Sequence, residues 1–301
     1  LTVSTGQNPL QRSDPGFRWG DRTLVMGVLN LTPDSFSDGG RLQSAHQAET
    51  QAALMLAQGA AVLDLGGQST RPGAEAVGPE REWKRLRAAL LEIRQNHPRA
   101  CLSIDTFEPA VAEEALAAGA DWINDVRGAS QGRDPAMLAL VAEAGCPYVA
   151  MHSRGDSQTM DGLTRYTDVV AEVREGLLKA TDEALAAGVM AAQVIWDPGL
   201  GFAKTTSQNL ELLRGLPRLR SEGFPLLVGP SRKRFIGAVM NEPRPRARLW
   251  GTAAVCGQVI AQGGDVLRVH DVGPIVQTAR MADALWRPNV HRLHTQFHLE
   301  H

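Results

Sequence analysis

Three short polar side chains, Asp105, Asn124 and Asp197, close short apolar runs in CLSID, WIN and VIWD. A carboxylate carried into a protein interior needs hydrogen-bond donors around it. Those donors can come from an arginine, or from a ligand edge rich in N–H groups. Two carboxylates and an amide suit an aminopyrimidinone, which offers a guanidine-like face. Read one at a time, Asp105 and Asp197 are equally internal caps or salt-bridge partners. Opposite them in chemistry stand Arg71, Lys233, Arg268 and His270, with Arg232 and Arg234 flanking Lys233. Cations on loops that face one mouth bind an anion, and phosphate fits them best. Ser69, Thr70 and Arg71 add hydroxyls and a forked donor beside Gly66 and Gly67, whose backbone can approach a ligand closely. Asn30 offers one hard oxygen. With a diphosphate as the anion, Mg2+ is the natural bridge, since it takes one or two protein oxygens plus phosphates and waters. His152 follows an apolar run, but no Ser or Cys forms a nucleophile pair with it. The set therefore predicts a reaction in which diphosphate leaves and a second molecule attacks, without a covalent enzyme intermediate.

Such residues need a scaffold that gathers many segments at one place. Short apolar runs at 24–29, 62–65, 101–104, 122–124, 148–151, 194–196, 226–228 and 266–269 read as strands. Helical stretches at 44–58, 79–96, 109–118, 135–144, 166–187, 207–213, 246–262 and 274–285 lie between or after them. Several open on Pro and several end on Gly, as helix boundaries do. Near-continuous apolar strands alternating with helices argue for a parallel sheet. Eight such units predict an α/β fold, a single-domain (β/α)8 barrel, over an open doubly wound sheet. In a barrel all eight polar strand ends share one rim: Asn30 with NLTPDSFSDGG, Asp64 with GGQSTRPG, Asp105, Asn124–Asp125, Met151–His152, DPGLGFAK, GPSRKRFIG, and Arg268 with His270. Residues 1–22 read as a leader, 23–286 as the barrel and 287–301, with four histidines, as a tail.

The 301 residues carry a net charge of −2 and are 43% hydrophobic, so the core is large and no bulk charge points to nucleic acid or membrane. No apolar run is long enough for a membrane span, and no signal peptide is visible. Cys101, Cys146 and Cys256 lack metal-site spacing and read as buried thiols of a cytoplasmic protein.

The motifs NLTPDSFSDGG, GGQSTRPG, SIDT, IND, DPGLGFAK, GPSRKRFIG and RVHDV occur in one order, at strand ends, over about residues 22–286. In this the chain resembles the dihydropteroate synthase family of folate biosynthesis, the target of sulfonamides. The resemblance implies a pterin-binding barrel that condenses 6-hydroxymethyl-7,8-dihydropterin diphosphate with p-aminobenzoate by an SN1-like displacement. It implies that Asp105, Asn124, Asp197 and Lys233 hold the pterin, with Val126 and Met151 near its ring. Arg268 would stack on the pterin and touch the diphosphate, which Thr70, Arg71 and His270 also bind. Asn30 would contact Mg2+, and Asp38 would help hold the metal-bound complex. Phe36, Pro72, Phe202 and Ser231 would shape the p-aminobenzoate pocket. Small-molecule substrates and a homodimer are the implied partners. A corrinoid-dependent methyltransferase domain on a pterin barrel would share Asp105 and Asn124, but would have no diphosphate for STRPG and SRKR to hold. A pterin-binding protein without catalysis is the other alternative. Two departures from the family pattern are Gln68 where Glu is common, and Leu200 with Ala203 in DPGLGFAK.

Overall fold

The computed structural model describes residues 17–32, 41–70, 73–130 and 133–287. Eight strands run in chain order: β1 Leu24–Asn30, β2 Val62–Gly66, β3 Cys101–Asp105, β4 Trp122–Asp125, β5 Tyr148–Met151, β6 Val194–Asp197, β7 Leu227–Val228 and β8 Val266–Val269. Each pairs in parallel with its sequence neighbour, and β1 pairs with β8. A parallel bridge from Trp196 to Leu226 joins β6 to the chain entering β7 and closes the ring. This is the (β/α)8 barrel that the alternation of runs predicts.

Among the described residues ten helices surround it: α1 Arg41–Ala57, α2 Pro79–Asn96, α3 Pro109–Ala117, α4 Pro135–Ala144, α5 Val169–Ala186, α6 Thr206–Arg214, α7 Leu216–Arg220, α8 Arg234–Met240, α9 Leu249–Ala261 and α10 Val272–Trp286. Proline opens α2, α3 and α4, where its missing N–H costs nothing. The helix expected from 166 begins at Val169 instead, because the Asp168 carboxylate accepts from the Ala171 N–H at 2.9 Å and sets the start there. Short α7 and α8 were not expected. Neither is long enough to show a helical period, and α8 contains Gly237, against which the Arg248 guanidinium packs.

Two apolar layers hold the molecule. The outward strand positions, such as Leu63, Leu102, Ile123, Ala150, Trp196 and Leu267, pack under the helices. The inward positions at the base, Met26, Val62, Cys101, Trp122, Val149, Ile195, Leu227 and Val266, fill the barrel floor. Phe17 and Trp19, inside the segment read as a leader, cover that floor. Their rings lie 5.9 and 6.2 Å from that of Trp122. All three cysteines are buried free thiols, and burial pushes Cys146 and Cys256 up to about 12, which keeps them protonated and unreactive.

Candidate active site

Side chains two residues apart on a strand share a face. One such step up from the apolar floor gives Asp64, Ser103, Asn124, Met151, Asp197, Gly229 and Arg268. The barrel interior thus turns from apolar to polar within a single layer. Asn30, Gly66, Asp105 and Asn124 are register partners across β1 to β4.

Arg268 organises this layer. Its Nε donates to Asp64 Oδ2 at 2.6 Å and its second terminal nitrogen to Asp105 Oδ2 at 2.5 Å. Burial opposes the guanidinium charge, but Asp64 and Asp105 outweigh it, and the Arg268 pKa moves up. Asn124 donates its amide N–H to the same Asp64 oxygen at 3.1 Å. A carboxylate can only accept, so this bond sets the amide, leaving the Asn124 carbonyl oxygen as its other hydrogen-bonding group. Among the described residues, Asp105 Oδ1 and Asp64 Oδ1 are buried without a hydrogen-bond partner. Burial lifts Asp105 above the usual carboxylate range, against the pull of Arg268.

Asp197 completes the set of acceptors. It lies beside Met151 in register, and its Oδ1 accepts from the Gly199 N–H at 2.7 Å. Burial raises its pKa, while that bond and Lys233 lower it. Lys233, half-buried at the start of α8, holds its Nζ 4.3 Å from the centre of the Phe202 ring. Burial brings Lys233 down to about 8, with Asp197 opposing, so it is mostly charged at neutral pH. Its neighbours are committed elsewhere. Arg232 makes two bonds to Asp271, and Arg234 two to Asp161. Of the basic run SRKR, Lys233 alone bears on the well.

The remaining expected residues fall around this well. Ser231 Oγ lies 2.9 Å from His270 Nδ1 and accepts from the His270 N–H at 3.1 Å. Thr70, Val126 and Phe202 line a small, partly open cavity beside the well. Asn30 is half-buried at the end of β1, and its side chain makes no hydrogen bond among the described residues. One free amide oxygen at the rim suits Mg2+, which needs only one or two protein oxygens when phosphate and water supply the rest. Phe36, Asp38, Arg71 and Pro72 lie outside the described residues. The structure therefore gathers Asp105, Asn124, Asp197, Lys233 and Arg268, and separately pairs Ser231 with His270.

Three features escaped the sequence reading. Asp64 was noted at a strand end but given no role; a charge inside the apolar run VLDLG was the available signal. Lys204 is buried, and its ammonium donates to the Gly199 and Phe202 carbonyls at 3.0 Å and lies 3.2 Å from His152 Nδ1. Burial brings Lys204 down to about 7. It thereby ties together the loop that presents Asp197 and Phe202. The third is the β5–α5 loop, whose Ser153, Arg154 and Ser157 line the cavity.

The profile of a family described as pterin binding enzyme matches residues 26–270. The chain belongs to that family. It is 50% identical to dihydropteroate synthase of Synechocystis over 279 residues, 93% of this chain and 96% of that one. The crystal structure of dihydropteroate synthase from Clostridium difficile in the presence of pteroic acid superposes with a TM-score of 0.84 at 38% identity, covering 90% of this chain and 99% of that one. The Xanthomonas albilineans dihydropteroate synthase with 4-aminobenzoic acid gives 0.82 at 40% identity, covering 88% and 94%. Within this pterin-binding family the chain groups with the dihydropteroate synthases, enzymes of folate synthesis.

Proposed function

We propose that the protein condenses 6-hydroxymethyl-7,8-dihydropterin diphosphate with p-aminobenzoate to give 7,8-dihydropteroate and diphosphate, as an alkyl/aryl transferase. The observation that carries this is the acceptor set of Asp105, Asn124 and Asp197 in the polar layer of the barrel, with Arg268 and Lys233 beside it. Asp105 and Asp197 accept from the amino and ring N–H groups of the pterin, and the Asn124 carbonyl adds a third acceptor. Lys233 donates to a ring acceptor. Val126 and Met151 give the ring an apolar wall. Thr70, Arg71, Arg268 and His270 take the diphosphate, and Asn30, supported by Asp38, would hold Mg2+, which supplies charge neutralisation for the leaving group. The carbon–oxygen bond breaks with its electron pair going to diphosphate. The aniline nitrogen, in a pocket formed by Phe36, Pro72, Phe202 and Ser231, then bonds to the methylene carbon and releases one proton. No enzyme nucleophile is required, in keeping with the residues present.

We further propose that the protein is a cytoplasmic homodimer. No described helix is long and apolar enough to cross a membrane. Turnover with both substrates tests the reaction: equal amounts of diphosphate and dihydropteroate are expected, lost in EDTA and restored by Mg2+. No diphosphate with the correct pair would refute the reaction, and full activity in EDTA would remove Asn30 from its metal role.

A further inference from the structure

Ser231 and Arg232, the first two residues of the run SRKR, grip the end of β8. Ser231 Oγ accepts from the His270 N–H at 3.1 Å and lies 2.9 Å from His270 Nδ1. Arg232 takes the next residue. Its Nε and one terminal nitrogen donate to the two oxygens of Asp271 at 3.0 and 2.6 Å, a side-on pair. Asp271 stands at the N-cap of α10, where an aspartate ordinarily accepts from the first helix N–H groups, yet its side chain makes no capping bond. Two neighbouring residues of the β7–α8 loop thus hold two neighbouring residues of the β8–α10 turn.

The gripping loop is itself fixed. Arg232 has φ +61°, a left-handed conformation that persists in a residue with a Cβ only where surrounding bonds over-determine it. Its N–H donates to Thr252 Oγ1 at 3.2 Å, and its carbonyl accepts from Arg248 Nη1 at 3.0 Å. Arg248 is buried and also donates to the Glu242 and Pro243 carbonyls, at 2.9 and 2.6 Å. The hydrogens on Ser231 and His270 can then be counted. A backbone N–H can only donate, so Ser231 Oγ accepts there. Among the described residues its other bond is to His270 Nδ1, and its hydroxyl has one hydrogen to give. Were Nδ1 protonated, Ser231 would accept twice, and its own hydrogen would be buried with nothing to receive it. Ser231 therefore donates to Nδ1, and the ring proton sits on Nε2.

We propose that Ser231 is a positioning residue that holds His270 as the neutral tautomer with its proton on Nε2, so that the ring meets the departing diphosphate as a hydrogen-bond donor. This rests on the proposed reaction. As the carbon–oxygen bond breaks, negative charge grows on the diphosphate oxygens, and a donor already oriented toward them stabilises that change most. Because the Ser231 hydroxyl is taken up by His270, what Ser231 offers a p-aminobenzoate pocket is its β-carbon, which alanine keeps.

Two measurements test this. Nitrogen NMR spectra of the protein with isotope-labelled histidine read the tautomer directly, with His270→Gln to assign the His270 signals. A proton on Nε2 and a bare Nδ1 are expected in wild type near neutral pH. A proton on Nδ1, or on both nitrogens, overturns the inference. Turnover is then measured for wild type, Ser231→Ala, His270→Gln and the double variant, each shown to be folded by pterin titration. Ser231→Ala is expected to lower kcat roughly 3–10-fold, with KM for p-aminobenzoate and pterin affinity unchanged. Added to His270→Gln, it is expected to cost nothing further, because the two side chains act as one unit. A raised KM for p-aminobenzoate with kcat held, or losses that multiply in the double variant, overturns the inference, since Ser231 would then act on the second substrate or on the fold alone. A wild-type protein that releases no diphosphate with the correct pair overturns the proposed reaction, while the labelled-histidine spectrum judges the Ser231–His270 pair separately.

Discussion

Arg268 already sits where a guanidine-like ligand face would go. Its forked donors satisfy Asp64 and Asp105, which explains how two carboxylates stay buried in one barrel layer. A pterin can take Asp105 through its Oδ1, which has no partner among the described residues, while Arg268 keeps Oδ2 and the bond to Asp64. A third buried carboxyl behaves differently. Glu82 on α2 is fully enclosed, and burial, more than any neighbouring charge, lifts it from 4.5 to about 7. The folded state thus holds this proton more tightly than the unfolded chain. Its stabilising effect is complete below pH 4.5 and is lost as pH rises through 7, a change of roughly 3 kcal/mol by pH 8. Glu82→Gln cannot ionise, so it should melt above wild type at pH 8 and level with it at pH 4. Parallel melting curves for the two proteins across that range would show that Glu82 ionisation does not matter.

At the scale of elements, the strands were legible and the loops were not. Near-continuous apolar runs marked the strands, and the polar residues that close them marked the rim, because in a parallel barrel all strand ends of one kind lie together. Asp105, Asn124, Asp197 and Arg268 could therefore be placed from the sequence. The burial of Lys204 could not, since it depends on how DPGLGFAK folds back over His152. Gln68 showed itself only as a departure from a motif, because its partner Val77 lies across a loop. The β6–α6 loop gives a direct check on this tertiary dependence. Gly199 has φ +68°, and a Cβ there would lie 1.9 Å from the His152 carbonyl oxygen. Gly199→Ala therefore has to move the loop that fixes Asp197 Oδ1. A stability loss of about 2–4 kcal/mol is expected, with weaker pterin binding, by denaturant melts and titration. Wild-type stability in that variant would mean that the loop repacks freely.

Across the whole molecule, the helix ring is uneven. Trp250 on α9 and Met281, Leu285 and Trp286 on α10 are 60–75% exposed, and a shallow groove runs between these helices past Gly257 and Ala261. Large exposed apolar groups in one area mark an interaction surface. In the proposed homodimer this is the face that a second copy covers. Leu285→Arg with Met281→Glu should yield monomers in sedimentation, while wild type sediments as a dimer. A variant that remains dimeric would place the interface elsewhere.

The packed floor around Trp122, with Phe17 and Trp19 against it, closes that end of the barrel, so ligands reach the well from the polar rim. The pterin seat lies at the bottom, among Asp105, Asn124 and Asp197, and Phe202 stands nearer the opening. Under the proposed reaction, a p-aminobenzoate seated by Phe202 ahead of the pterin would stand in its path, so the pterin is expected to bind first; product-inhibition kinetics that show random binding would overturn that order.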